Sequence, residues 1–266
     1  MKVAAQLYSL SREYNENPGR VLEIVATQGY DGVEFYSYGL PISQLKKLLR
    51  HLNLEPCAAH VSYERLCKNI NEEIEAAKEL GIDTLICPMI QKEEFSENQI
   101  EYFADKLAQI SQVLAEENIR FGYHNHWMEM RMIGDKFIFD LLGQNCRNFM
   151  MEFDIFWSVV ADVNPVLFLE SHRKQCRYIH VKDYILAPEF HRKKDASAVE
   201  QLLYKLKPEC SILQVPAGYG NGKCQEILQK AEETEVEWAI VEQDFFDASP
   251  FACMEKSCRY IKAQFR

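Results

Sequence analysis

The sequence predicts a single-domain α/β chain closed as a (β/α)8 barrel, and three observations predict it. A length of 266 residues is that of one complete barrel of this kind. Short apolar segments alternate with helix-like segments along the whole chain, the pattern of parallel strands joined by helical crossovers. No linker rich in Pro, Gly or Ser breaks the alternation, so residues 1–266 read as one domain. A doubly wound open sheet would share the alternation, but its dinucleotide-binding form carries Gly-x-Gly-x-x-Gly after the first strand. The chain there reads Leu7-Tyr8-Ser9-Leu10-Ser11-Arg12, without glycine. The closed barrel is the better account.

The elements follow in order. Val3 to Tyr8 is a short apolar strand. Asn17-Pro18 then supplies an N-cap and a proline at the first helical position, with Val21, Leu22, Ile24 and Val25 on one face and Gly29 as the stop. Gly32 to Tyr36 is the second strand, followed by a helical stripe of Ile42, Leu45, Leu48, Leu49 and Leu52. Cys57 to Val61 is the third strand, with Ile70, Ile74 and Ala77 leading to a helix end at Gly81. Thr84 to Ile90 is the fourth. Ser96-x-x-Gln99 resembles a capping box, opening a long helix with Ile100, Phe103, Leu107, Ile110 and Leu114 on one side. Strands are expected at Arg120–His126, Phe149–Ile155, Cys176–Lys182 and Trp238–Gln243, and helices at 136–143, 165–174, 222–234 and 250–264. The stretch 184–217 is irregular, with a short helix expected at Val199–Leu206.

Composition bounds the function. Forty acidic against thirty basic residues leave a net charge of −10, which repels nucleic-acid phosphates and anionic lipid. No apolar run approaches the roughly 20 residues of a membrane span. The N-terminal segment meets Gln6 and the polar run from Ser11 too early for a signal peptide. The nine cysteines are odd in number, irregularly spaced and without a Cys-x-x-Cys pair. Reduced, mostly buried cysteines in a cytoplasmic protein are therefore expected rather than a disulfide framework or zinc knuckle. The expected partner is a small molecule, with neither nucleic acid nor membrane, and a homo-oligomer is compatible with the sequence.

Polar residues gather at the strand ends, where such barrels place their active sites. Strand two carries Glu34 and strand three His60. Strand five carries His124-Asn125-His126, with Glu129 just beyond. Strand six carries Glu152 and Asp154, strand seven His180-Val181-Lys182-Asp183, and strand eight Glu242-Gln243-Asp244. One ionisable residue at a strand end is ordinarily a structural hydrogen-bonder. Six strands each ending in one call for another reason, since burying unpartnered charge is costly. By strand alternation His124, Asp154, His180 and Glu242 converge if their faces point inward. Two imidazoles and two carboxylates suit one divalent ion, Mn²⁺ foremost, with Co²⁺, Fe²⁺ and Zn²⁺ as alternatives. A His–carboxylate hydrogen-bond network without metal is the competing account. Trp157 is equally readable as an apolar wall under a sugar ring or as core. Gly218-Tyr219-Gly220-Asn221-Gly222-Lys223 reads as a glycine turn before a helix in preference to a phosphate loop, because no Ser or Thr follows the lysine. His51, His172 and His191 read as solvated, and His191-Arg192-Lys193-Lys194 as a solvated basic loop.

At these residues the chain resembles the sugar phosphate isomerase/epimerase family of xylose isomerase-like TIM barrels. The resemblance rests on Gly32-Val33-Glu34, Tyr123-His124-Asn125-His126, Glu152-Phe153-Asp154-Ile155-Phe156-Trp157 with Asn164-Pro165, His180-Val181-Lys182-Asp183 and Val241-Glu242-Gln243-Asp244, and it spans nearly the whole chain. It implies a metal held by Glu, Asp, His and Glu from strands five to eight. Asp154, His180 and Glu242 match the last three, whereas His124 stands where the family has a glutamate. That departure puts a two-glutamate epimerase mechanism in doubt and leaves His126 or Glu129 as other fifth-strand ligands. The expected function is a metal-dependent sugar or keto-sugar isomerase or epimerase. Glu242 is the expected base, His126 or Lys182 manage protons on substrate oxygens, and Glu34, His60, Glu129 and Trp157 contact substrate. The alternative is a dehydratase or β-eliminating lyase on a keto-sugar or keto-inositol. A DNA-repair endonuclease on the same barrel is disfavoured by the charge, and a catalytically inactive sugar-binding barrel is the remaining class.

Overall fold

The structure is a computed structural model that describes residues 1–90, 97–186 and 212–265. Eight parallel strands close the barrel: β1 Lys2–Gln6, β2 Gly32–Phe35, β3 Glu55–His60, β4 Thr84–Cys87, β5 Arg120–His124, β6 Met150–Asp154, β7 Cys176–Val181 and β8 Trp238–Val241. Each pairs with its sequence neighbour, and β1 pairs with β8, Ala4 opposite Ile240. The principal helices are α1 Pro18–Thr27, α2 Ile42–Leu52, α3 Ile70–Leu80, α4 Glu97–Glu116, α5 Ile138–Gly143, α6 Pro165–Ser171, α7 Cys224–Glu233 and α8 Pro250–Gln264. The (β/α)8 expectation is met.

Local chemistry accounts for the boundaries. Asn17 caps α1 by accepting from the Arg20 N–H at 3.0 Å, and Asn164 caps α6 through the Val166 and Leu167 amides. α3 stops where Gly81 turns left-handed at φ 83°. The α4 stripe of Ile100, Phe103, Leu107, Ile110 and Leu114 is buried in the main core between helices and strands. Leu107 is fully buried there, so Leu107→Ala would cost about 2–5 kcal/mol.

Inside the barrel, Ala4, Cys57, Ala58, Ile86, Met150, Tyr178, Trp238 and Ile240 form a separate apolar plug. Gly122 belongs to its packing: a Cβ there would lie 2.9 Å from Met150 Cε and 3.0 Å from Ile86 Cγ1. The plug fills the lower barrel, and the polar residues of the strand ends stand above it.

Several boundaries differ from expectation for identifiable reasons. β1 ends at Gln6, not Tyr8, because the Gln6 side chain accepts from the Tyr8 amide at 3.0 Å and turns the chain into a 3-10 helix, Leu7–Leu10. β5 ends at His124 because the Glu129 carboxylate takes the His126 amide at 2.9 Å. α5 begins at Ile138 because Lys136–Phe137 pairs with Met132–Ile133 as a small hairpin. Short helices at Ser11–Glu16, Tyr63–Lys68 and Ile155–Val160 were not expected from the periodicity. Within the irregular stretch, Asp183–Leu186 and Ile212–Val215 form an antiparallel pair. Ser96, the Val199–Leu206 segment, His191-Arg192-Lys193-Lys194 and Cys210 lie outside the described residues. The other eight cysteines are free thiols, and among the described residues no helix is long and apolar enough to cross a membrane.

Candidate active site

Above the apolar plug, the inward-facing residues form two polar layers. The lower layer contains Glu34, His60, Glu152 and His180. The His60 Nε2 lies 2.6 Å from Glu152 Oε2, and the His180 Nε2 lies 2.7 Å from Glu34 Oε2 and 3.2 Å from Glu152 Oε2. Glu34 is fully buried and also accepts from the Gln6 side-chain amide at 2.6 Å. The upper layer contains Asp154, Lys182 and Glu242, with the other face of His180. His180 Nδ1 is 2.7 Å from Glu242 Oε2, and the Lys182 ammonium is 2.7 Å from Glu242, 3.1 Å from Asp154 and 3.1 Å from Asp244.

Local structure aims these groups. Asp154 closes β6 and caps the helix Ile155–Val160: its Oδ1 accepts from the Trp157 amide at 2.9 Å, which turns Oδ2 toward Lys182 and His180. Asn125, the first residue beyond β5, exchanges bonds with the Asp154 backbone and ties the two strand ends together. The Trp157 ring lies under Lys182, 5.3 Å from the ammonium, and beside His126. Above both layers opens a cavity of about 340 Å³, walled by Tyr8, Tyr36, Met89, His126 and Trp157, with His60, His124, Lys182 and Glu242 in its floor.

Burial and neighbours set the charges. Burial opposes ionisation of Glu242, but Lys182 and His180 outweigh it and hold the carboxyl well below the usual range. Burial pushes Asp154 up to about 6, against the pull of Lys182. Lys182 and His180 are both driven upward: burial opposes their charge and the surrounding carboxylates overcome it. His126 is pushed down to about 3, by burial and then by Lys182, and His124 falls through burial and the charge of His180. Two neutral imidazoles therefore face a lysine ammonium and an ionised glutamate.

Among the described residues, two groups have metal-ligand spacing: His124, Asp154, His180 and Glu242, and His60, His124, Glu152 and His180, with ligand atoms within 4.8 Å of one another in each. The first group fits a divalent cation better. Asp154 Oδ2 and His124 Nδ1 are buried without an aligned hydrogen bond, and His124 and Glu242 border the cavity. The second group has a comparable orphan in Glu152 Oε1 and borders the cavity through His60 and His124, but it offers one carboxylate against the first group's two. Two imidazoles and two carboxylates are a donor set for borderline divalent ions.

The fifth-strand candidates separate cleanly. His124 belongs to both groups, whereas His126 and Glu129 belong to neither. Glu129 is fully buried in the wall, held by the Tyr123 hydroxyl at 2.8 Å and the His126 amide. Of the residues expected to contact substrate, His60 and Trp157 line the cavity, while Glu34 and Glu129 do not. Trp157 is buried core and cavity wall at once. The sequence reading missed Gln6, Tyr8, Tyr36 and the ion pair of Asp244 with Lys182. Gln6 had a signal, as the polar end of an apolar inward-facing strand.

The glycine turn is also resolved. Gly218 and Gly220 amides donate to Asp183 Oδ2 at 2.8 and 3.0 Å, and Gly222 and Tyr184 amides donate to Oδ1 at 3.3 and 2.8 Å. The anion in this nest is the protein's own carboxylate, which agrees with a structural turn. His172 is not solvated as expected: it packs at the end of α6 with Asp140 Oδ1 3.1 Å from Nε2. His51 is exposed.

A family model described as xylose isomerase-like TIM barrel matches residues 22–245. Among solved structures, a sugar phosphate isomerase/epimerase from Parabacteroides distasonis is 20% identical, with TM-score 0.72 over 98% of this chain and 94% of that one. A probable 3-DHS dehydratase involved in petrobactin synthesis from Bacillus anthracis is 15% identical, with TM-score 0.74 over 98% and 99%. The IOLI protein with a bound zinc atom is 15% identical, with TM-score 0.70 over 99% and 97%. At these identities the likeness is one of fold. No curated protein matches the sequence.

Proposed function

Because the chain belongs to the xylose isomerase-like TIM barrel family, we propose that it is a metal-dependent isomerase or epimerase that removes a proton beside the carbonyl of a small sugar or keto-sugar. One observation carries this reading: His124, Asp154, His180 and Glu242 converge beside a buried ammonium, with His124 and Glu242 bordering the cavity. A fold neighbour that binds zinc and another named as an isomerase/epimerase support it. A divalent cation held by these four residues supplies Lewis-acid stabilisation of the charge that develops on the substrate's oxygens. Glu242, kept ionised by Lys182 and His180, accepts the proton from carbon. Lys182, kept charged by three carboxylates, donates to the oxygen that gains the electrons. His126 is neutral and lines the same cavity, so it can carry a proton between substrate oxygens. Trp157 and Tyr36 offer apolar surface to the sugar ring.

A second reading keeps this first step and ends differently. The Lys182 ammonium beside Glu242 can also protonate a leaving hydroxyl, turning the same intermediate into a dehydrated product. Mass analysis of products from a panel of keto-sugars incubated with the protein and Mn²⁺ tests the proposal. An isomer of unchanged mass is the expected result, loss of water would establish the second reading, and no turnover across the panel would count against both.

A further inference from the structure

We infer that Glu34 is a positioning residue for His180: with a divalent cation bound, it accepts the Nε2 N–H and leaves Nδ1 as the nitrogen turned to the ion beside Asp154 and Glu242, with Gln6 locking Glu34 in place. The inference rests on the metal-site reading above and extends it one layer down the barrel.

The geometry is that of a ring clamped at both ends. Nε2 points down to Glu34 Oε2 at 2.7 Å, and Nδ1 points up to Glu242 Oε2 at 2.7 Å, with Asp154 Oδ2 at 4.0 Å. A neutral imidazole carries one N–H, and the hydrogen bond at one nitrogen decides what the other can bind. A cation among Asp154, Glu242 and His124 needs Nδ1 bare, which leaves the proton on Nε2. Glu34 is the acceptor there, and a carboxylate acceptor also raises the basicity of the ligating nitrogen. Burial removes Glu34 from competition with water, since it is fully enclosed.

Gln6 gives the clamp its direction. β1 and β2 pair with Gln6 opposite Glu34, placing both side chains on the inner face. Gln6 Oε1 accepts from the Tyr8 amide at 3.0 Å, so its NH2 faces Glu34 Oε2 at 2.6 Å. Flipping that amide would set NH2 against N–H and carbonyl against carboxylate. One continuous chain therefore runs from the Tyr8 backbone through Gln6 and Glu34 to His180. Glu152 is the competing acceptor, at 3.2 Å from the same nitrogen, but His60 already engages it at 2.6 Å.

The test uses the full chain and Co²⁺ as the probe, with affinity measured by competition against a chromophoric chelator. Glu34→Gln keeps the shape of the side chain, and metal-free thermal unfolding checks that the fold is retained. Glu34→Gln is expected to weaken Co²⁺ binding about 10- to 100-fold, Gln6→Ala less, and Glu152→Gln less than Glu34→Gln. Affinity unchanged in Glu34→Gln, or a larger loss in Glu152→Gln, would overturn the inference. Nitrogen-15 NMR of His180 in the protein loaded with Zn²⁺, a diamagnetic ion, reads directly which ring nitrogen binds metal and which keeps its proton. Metal bound through Nδ1 with the proton on Nε2 is expected, and metal bound through Nε2 overturns the assignment. A parent protein that binds neither Co²⁺ nor Zn²⁺ would refute the metal reading on which the inference rests, whereas tight binding with Nε2 as the ligand atom would refute the inference alone.

Discussion

At the scale of single residues, Asp154 shows how one side chain serves structure and chemistry together. Its Oδ1 is used in capping the helix after β6, and its Oδ2 is left buried beside Lys182 without an aligned hydrogen bond. Asp154→Ala removes both functions, and His180→Ala removes a ring that touches four carboxylates. We expect both to abolish tight binding of a divalent ion, as measured by elemental analysis after dialysis; full occupancy in both variants would rule out the site. His124→Glu should keep the metal, because a carboxylate at that position can reach the same centre. His126→Ala should also keep it, because His126 is outside both ligand groups. The convergence of His124, Asp154, His180 and Glu242 was legible from strand alternation, which fixes the inward face. Depth along the barrel axis was not legible. It depends on register between strands far apart in sequence, and that is why Glu34 and Glu129 could not be told from cavity residues in advance.

At the scale of elements, the loops that carry the strand ends are held by buried side-chain anchors. Asp183 receives four backbone N–H groups from Tyr184 and the glycine turn, and a Cβ on Gly220 would lie 2.4 Å from its Oδ1. Hydrogen bonds to a charged group contribute roughly 1.5–3 kcal/mol each and do not simply add, so Asp183→Ala should destabilise the protein by at least about 3 kcal/mol. Urea unfolding checks this, with a smaller loss expected for Asp183→Asn; a cost under about 1 kcal/mol for the alanine variant would contradict it. At the end of α6, His172 places Nδ1 3.0 Å from the Phe168 carbonyl and Nε2 3.1 Å from Asp140, two acceptors that favour the doubly protonated ring. Burial opposes that charge, but Asp140 and the carbonyl outweigh it and raise the pKa of His172. The stabilisation is therefore complete below the unfolded value of about 6.5 and is lost as pH rises through the folded value. Melting temperatures of the parent and His172→Gln should differ more at acid pH than at alkaline pH, and a constant difference would contradict the assignment. Periodicity and caps revealed α1 to α8 in the sequence, whereas these tertiary anchors, which join residues 32 to 39 positions apart, left no local pattern to read.

At the scale of the whole molecule, the barrel separates stability from chemistry along its axis. The apolar plug and the helix-facing core supply the burial, and the strand ends above them concentrate the carboxylates Glu34, Glu152, Asp154, Glu242 and Asp244 around Lys182, His60, His124 and His180. The proposed function turns on what that concentration does to carbon-bound hydrogen. The direct measurement is NMR of an active keto-sugar incubated with the protein and Mn²⁺ in D₂O. The account predicts deuterium entering the carbon beside the carbonyl at a rate comparable to turnover. It predicts that Glu242→Gln slows this exchange by at least about 10² to 10⁴. Turnover with every carbon-bound hydrogen retained, and no isotope effect from deuterium at that carbon, would contradict proton abstraction and point instead to a hydride shift between adjacent carbons.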